Sequence, residues 1–400
     1  PKKLGLIDEA SIKSEARRFL DIVGLEISPS QLVEDLPIGK QQLVEIAKAL
    51  SVNARVLIMD EPTSSLSQKE TERLFEVVKD LRARGVSVIY ISHRLSEVIE
   101  LADRVVVLRD GENAGELEKT EIDHDNMVKL MVGRELDQFY DHQPNPTGET
   151  IFALEEFRTP VHPEHPISLS LKAGEIVGLS GLVGAGRSEL FETIFGVREA
   201  VGGTVQVSGK PVAIDTPFQA INCGLALVPE DRKQQGLIID MAVSENLSLA
   251  SLNRDQRLGM RNSGAEQSIT HEMIDRMRIK TPSAEQIVRY LSGGNQQKVV
   301  LGKWLAMKPK VLFLDEPTRG IDIGAKQEIY ALMEELAAEG VAILFASSEM
   351  EEVIGMSDRV LVMHEGHISG ELSRDELTEE AIMQLATGGQ AESLTTAGAD

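Results

Sequence analysis

The 400-residue chain has one cysteine, Cys223, and one tryptophan, Trp304, and only 4% of its residues are aromatic. A single cysteine excludes an internal disulfide framework and fits a reducing compartment, with Cys223 read as a small buried thiol. Long hydrophobic runs are also missing. The longest, such as VAILFA (341–346), fall far short of the roughly 18 residues that would cross a bilayer, and no secretory hydrophobic region opens the chain. The expectation is a soluble, intracellular protein. No basic block offsets a net charge of −23, which excludes nucleic acid and anionic lipid as partners and sends any membrane contact through another protein.

What the chain does have is a repeat. DEPT stands at 60–63 and again at 315–318, an offset of 255. The same offset pairs LPIGKQQ (36–42) with LSGGNQQ (291–297), and DRVVVLRDGENAGEL (103–117) with DRVLVMHEGHISGEL (358–372), where eight of fifteen positions are identical. One constant offset with no gap means two copies of one domain. The first copy starts late: a counterpart of GLVGAGRS (181–188) would lie about 75 positions ahead of Pro1, so the chain reads as truncated at its N-terminus. The expected organisation is a first module over 1–135, a linker over 136–150 rich in proline and polar residues, a second module over 151–388, and a disordered tail over 389–400.

Within the second copy, short apolar runs alternate with amphipathic stretches. EIVGLSG (175–181), VLFLD (311–315) and AILFAS (342–347) read as buried strands, and RSELFETIFG (187–196) as a helix ended by Gly196. The fold class is therefore α/β, a mostly parallel sheet flanked by helices, with a helical subdomain expected between Asn246 and Tyr290.

Three motifs carry chemistry. GLVGAGRS fits the phosphate-loop pattern except that Arg187 stands where lysine is expected. Gly181, Gly184, Ala185 and Gly186 would let backbone N–H groups wrap phosphates at a helix N-terminus, joined by Arg187, Ser188 and Glu189, with Ser188 as a Mg²⁺ ligand. The two DEPT words end apolar strands. Asp60 and Asp315 would hold Mg²⁺, and Glu61 and Glu316 would polarise the attacking water. LSGGNQQ places Ser292, Gly293, Gly294 and Gln296 at a helix start whose free N–H groups could meet a γ-phosphate. HPEH (162–165) is read as a loop, because no cysteine or further histidine lies near it in sequence.

In series, phosphate loop, LSGGNQQ and DEPT resemble the motifs of ATP-binding-cassette ATPases with a P-loop nucleotide-triphosphatase fold. The forms GLVGAGRSEL, PEDRKQQGL, LSGGNQQK, LDEPTRGID and SSEMEEV resemble the tandem ATPase subunits of bacterial monosaccharide importers. The resemblance implies ATP and Mg²⁺ as cofactors and integral membrane permease subunits as partners. It further implies a periplasmic sugar-binding protein upstream and a peripheral place on the cytoplasmic face of the inner membrane. It also implies two composite sites. One would use Asp60, Glu61 and His93, the last matching the family's switch histidine, with Ser292–Gly294. The other would join the loop 181–188, Asp315 and Glu316 to LPIGKQQ, and three departures mark it as degenerate: Arg187 for lysine, Pro37 for the signature serine with Lys40 after a single glycine, and Ser348 for the switch histidine. PEDRKQQGL (229–237) matches the loop that senses nucleotide and touches the permease, with Glu230 in place of glutamine. No tyrosine offers itself to adenine, which leaves His162 and Phe157. Two rival readings remain, a soluble tandem cassette acting on ribosomes or DNA and a nucleotide-binding scaffold without turnover. The first lacks the basic inter-module arm it would need.

Overall fold

The computed structural model describes all residues except 1, 4, 5, 53, 64, 65, 67, 93, 110, 111, 133–141, 143, 145–147, 183, 257, 258 and 390–400. Most of the expected linker and nearly all of the expected tail thus lie outside the described residues, as does His93. The chain divides into two compact units, Pro1–Leu136 and Asp137–Asp400.

The second unit is built on a six-stranded sheet. In spatial order its strands are Leu225–Val228, Val311–Asp315, Ala342–Ala346, Ile176–Gly181, Arg359–His364 and His367–Ser373. The first five run parallel and the last turns back antiparallel. Every residue of Val311–Asp315 and of Ala342–Ala346 is buried, as a parallel strand covered on both faces requires. The phosphate-loop strand Ile176–Gly181 lies in the middle, so its C-terminal end opens where its parallel neighbours also end.

An antiparallel four-stranded sheet, Lys210–Val212, Gly202–Val207, Thr150–Arg158 and Ile167–Lys172, packs on the same core. The Phe152 ring meets Phe313 edge-on at 5.3 Å, joining the two sheets. The sequence reading did not contain this sheet, whose strands alternate inward and outward (Ile167–Lys172 most plainly) and so offer only a short period-two signal. The stretch expected to form a helical subdomain includes the helices Val243–Ser248 and Ser263–Arg276, which pack on the helix Gly293–Leu305. Its Leu247, Met273 and Met277 belong to the same hydrophobic cluster as the sheet.

The first unit repeats part of this plan. Val56–Asp60 pairs in parallel with Ser87–Ile91, and Arg104–Arg109 forms a hairpin with Glu112–Glu118. Among the described residues it has no counterpart of the phosphate-loop strand, which in the second unit separates the two corresponding strands. The two units also differ in burial. Ile58, Ile89 and Leu108 are 64%, 52% and 73% exposed, whereas Phe313, Leu344 and Met363, 255 positions on, are 0% exposed.

Candidate functional site

The phosphate loop follows from strand, turn and helix in immediate succession. Gly181 has φ 153°, and a β-carbon there would stand 2.6 Å from the Met363 carbonyl oxygen, so the neighbouring strand admits only glycine. Gly186, at φ 99°, is the N-cap of the helix Arg187–Ile194. Its left-handed backbone turns the chain into the helix and leaves the first N–H groups of the helix without intrahelical partners. Ala185 is tied at both ends: its N–H donates to Leu182 O at 3.0 Å and its carbonyl accepts from Gly366 N at 2.9 Å. Glu189 lies in the first turn of this helix.

The Ser188 hydroxyl lies near the Asp315 carboxylate, which is 5% exposed. Burial pushes Asp315 up to about 6, against the lowering by the Ser188 hydroxyl and with the Glu316 charge adding to the rise. Glu316 is 8% exposed and likewise raised by burial, against hydrogen bonding from Ser348 and the Arg187 charge. Its φ of 50° is left-handed, and its N–H donates to Ala346 O at 2.9 Å, which fixes the carboxylate at the strand ends. Two residues that depart from the expected pattern meet on it. Arg187 Nη2 donates to Glu316 Oε1 at 3.4 Å and Ser348 Oγ donates to Oε2 at 3.0 Å. Arg187 Nη1 also donates to Ser347 O at 2.9 Å.

Ser292 caps the helix Gly293–Leu305, with its hydroxyl accepting from Asn295 Nδ2 at 2.9 Å rather than bonding the helix N–H groups. Gly293 and Gly294 open the helix, and a β-carbon on Gly294 would meet Ala325 Cβ at 2.7 Å. Gln296 is a correction. It counts among the expected nucleotide-binding residues, but its side chain is 5% exposed and donates to Val288 O at 3.2 Å and Leu291 O at 3.3 Å. Gln41 does the same in the first unit, donating to Leu36 O at 2.8 Å. The amide fastens the turn ahead of the helix, a packing task that follows from facing inward one turn after the glycines.

In the first unit Asp60 and Glu61 end their strand as expected, both exposed, with Glu61 at φ 44° and its N–H bonded to Ile91 O at 2.9 Å. This repeats the backbone of Glu316. The sequence reading missed a network behind each DEPT. Thr318 Oγ1 and Ser347 Oγ donate to Glu352 at 2.6 and 2.8 Å, and Thr63 Oγ1 and Ser92 Oγ donate to Glu97 at 2.7 and 2.9 Å. All three pairs keep the offset of 255, the signal that could have revealed it.

Of the two adenine candidates, Phe157 is 2% exposed and belongs to the core, which removes it. His162 lies beside the phosphate loop, its Cδ2 3.6 Å from where a β-carbon on Gly186 would stand. The fold also brings histidines to HPEH that the sequence kept apart, with the His165 and His367 rings 5.0 Å apart. Among the described residues, no group of three His, Cys, Asp or Glu side chains is placed to hold a metal ion, and no helix is long and apolar enough to cross a membrane.

A glycine loop between a central parallel strand and a helix, with a buried Asp-Glu pair at the end of a neighbouring strand, defines a phosphate-loop nucleotide-binding ATPase. Known proteins agree. The ABC transporter family profile matches residues 4–64 and 165–319. Ribose import ATP-binding protein RbsA 2 of Escherichia coli O157:H7 is 48% identical over 385 residues, 96% of this chain and 76% of that protein. Xylose import ATP-binding protein XylG of Geobacillus kaustophilus is 48% identical over 390 residues, 96% of this chain and 77% of that protein. The fold matches a nucleotide-free ATP-binding cassette from an ABC transporter, with a TM-score of 0.52 and 21% identity over 59% of this chain and 98% of that one. The chain belongs to the ABC transporter family of ATP-binding proteins, and it is an ATPase that binds nucleotide.

Proposed function

We propose that this chain is the ATP-hydrolysing subunit of a monosaccharide importer, seated on the cytoplasmic face of the inner membrane against permease subunits that a periplasmic sugar-binding protein supplies. The observation that carries this reading is 48% identity across 96% of the chain to proteins named for ribose and xylose import.

In the second unit, the N–H groups of Gly184–Ser188 would hold the nucleotide phosphates, and His162 would pack against the base. The Ser188 hydroxyl and the Asp315 carboxylate, which lie near one another, are hard oxygen donors that suit Mg²⁺. When bound, the ion would neutralise charge on the phosphates. Glu316 is the group available to orient water, yet Arg187 and Ser348 both hold it. A carboxylate engaged by two donors is a weaker base, and a serine cannot replace the imidazole of a switch histidine. We therefore assign the second unit's phosphate loop to binding with slow turnover and the faster turnover to Glu61, with Asp60 as its Mg²⁺ ligand and His93 as its switch histidine.

The test is phosphate release by a protein that carries a phosphate loop ahead of Glu61 as well, assembled with its permease. Glu61→Gln should remove most of the turnover, and Glu316→Gln should leave most of it. Turnover that survives Glu61→Gln would overturn the assignment. Uptake of labelled pentoses by cells with and without the protein tests the sugar class.

A further inference from the structure

The segment Glu230–Leu237 contains an arginine that the nucleotide reading leaves without a task. Arg232 opens a wide helical turn, Arg232–Gly236, capped by Asp231, whose Oδ1 accepts from Lys233 N at 2.9 Å and Gln234 N at 3.0 Å. The Arg232 side chain leaves that turn and forks. Nη1 donates to Arg319 O at 2.7 Å and Nη2 to Gly320 O at 3.1 Å, two successive carbonyls just after DEPT. The same Nη2 lies 2.9 Å from where a β-carbon on Gly293 would stand, so the guanidinium rests on the first glycine of the signature helix.

Two further contacts hold the segment in place. Glu230 pairs with Arg319, so the segment and the turn after DEPT are joined in both directions. At its other end Lys303 Nζ, from the signature helix, donates to Gly236 O at 2.6 Å, and a β-carbon on Gly236 would stand 3.1 Å from Val300 Cγ2. Burial lowers the Arg232 pKa, which marks a guanidinium drawn out of water for these contacts.

We propose that Arg232 is a positioning residue. It binds the segment 230–237, the turn Arg319–Gly320 and the glycines Gly293–Gly294 into one body, so that a displacement of the segment reaches the signature helix and the end of the catalytic strand together. The inference rests on the reading of this chain as an ATPase whose second unit binds nucleotide. The planar fork meets two carbonyls at fixed spacing, which a lysine ammonium does not reproduce.

The experiment uses the chain assembled with its permease subunits and compares wild type, Arg232→Ala, Arg232→Lys, Gly293→Ala and the Arg232→Ala/Gly293→Ala double variant. Loss of positioning should lower kcat about tenfold or more while the KM for ATP stays within about twofold. Lysine should fail to restore it. Gly293→Ala should cost less in the Arg232→Ala background than in wild type, because the side chain it collides with is gone. Wild-type kcat in either Arg232 variant, or kcat and KM falling together with an additive double variant, would overturn the proposal. Failure of the underlying reading looks different: wild type would gain no thermal stability from Mg·ATP. The double variant then still decides through melting temperature, non-additive losses sustaining the link between Arg232 and Gly293 and additive losses overturning it.

Discussion

Arg187 and Glu316 stand 129 positions apart in sequence, yet the Arg187 guanidinium, 12% exposed, donates to the Glu316 carboxylate, 8% exposed. The phosphate-loop cation is thus bonded to the glutamate that would orient water. Arg187→Lys removes the fork that also reaches Ser347 O, and a lysine held by phosphate would release Glu316. We expect phosphate release by the second unit's site to rise several-fold in this variant, read as kcat in a Glu61→Gln background. Arg187→Ala should instead weaken Mg·ATP binding and raise the Glu316 pKa further, because the Arg187 charge now lowers it.

Asp315 gives a pH dependence. Its carboxyl is raised from 3.8 to about 6 by burial, so the folded protein holds this proton more tightly than the unfolded chain does. Stability from this group therefore falls as pH rises from 3.8 through about 6, and the loss is complete above that. Asp315→Asn stays neutral. It should raise the melting temperature of the nucleotide-free protein at pH 7.5, change it little below pH 4, and abolish the stabilisation by Mg·ATP.

His142 gives one of opposite sign. Burial lowers its pKa, but hydrogen bonds to Asp358 at 3.2 Å and Glu334 at 2.6 Å outweigh that and raise it to about 9. The resulting stabilisation is fully present below pH 6.5 and lost as pH rises through about 9. Asp358 also accepts from Ile176 N at 2.8 Å, at the start of the phosphate-loop strand. His142→Ala should lower the melting temperature at pH 7, and the gap to wild type should shrink by pH 10.

Gly181→Ala tests the close approach of backbone to backbone. The added carbon would stand 2.6 Å from Met363 O and 3.0 Å from Ala185 Cβ, so the strand end or the loop must shift. Loss of Mg·ATP binding by at least about tenfold is expected, with the fold retained by circular dichroism.

Gln296→Ala separates packing from ligand contact. It removes the amide donor from Leu291 O, while Val288 O keeps the Leu291 N–H at 3.0 Å, and should cost about 1–3 kcal/mol of stability, seen in denaturant melts. The KM for ATP should stay within about twofold of wild type.

The repeat shows how much was readable. The offset of 255, the strand ends at Asp315 and Glu316, and the helix after Gly186 all follow from short-range pattern: apolar runs, glycines and capping positions act over a few residues. The antiparallel sheet was hidden because its register depends on partners far away in sequence, and the task of Gln296 because amide hydrogen bonding depends on which way one helix face points.

By itself, the sequence determined that one set of motifs recurs at an offset of 255 and that Arg187 and Ser348 depart from pattern in the second occurrence. Only the tertiary structure decided what those departures do. It set Arg187 and Ser348 on the two oxygens of one buried carboxylate and laid the Arg232 fork across two carbonyls against Gly293. The physical reason is that motif identity resides in local backbone chemistry, whereas burial, charge pairing and close approach exist only once distant segments meet.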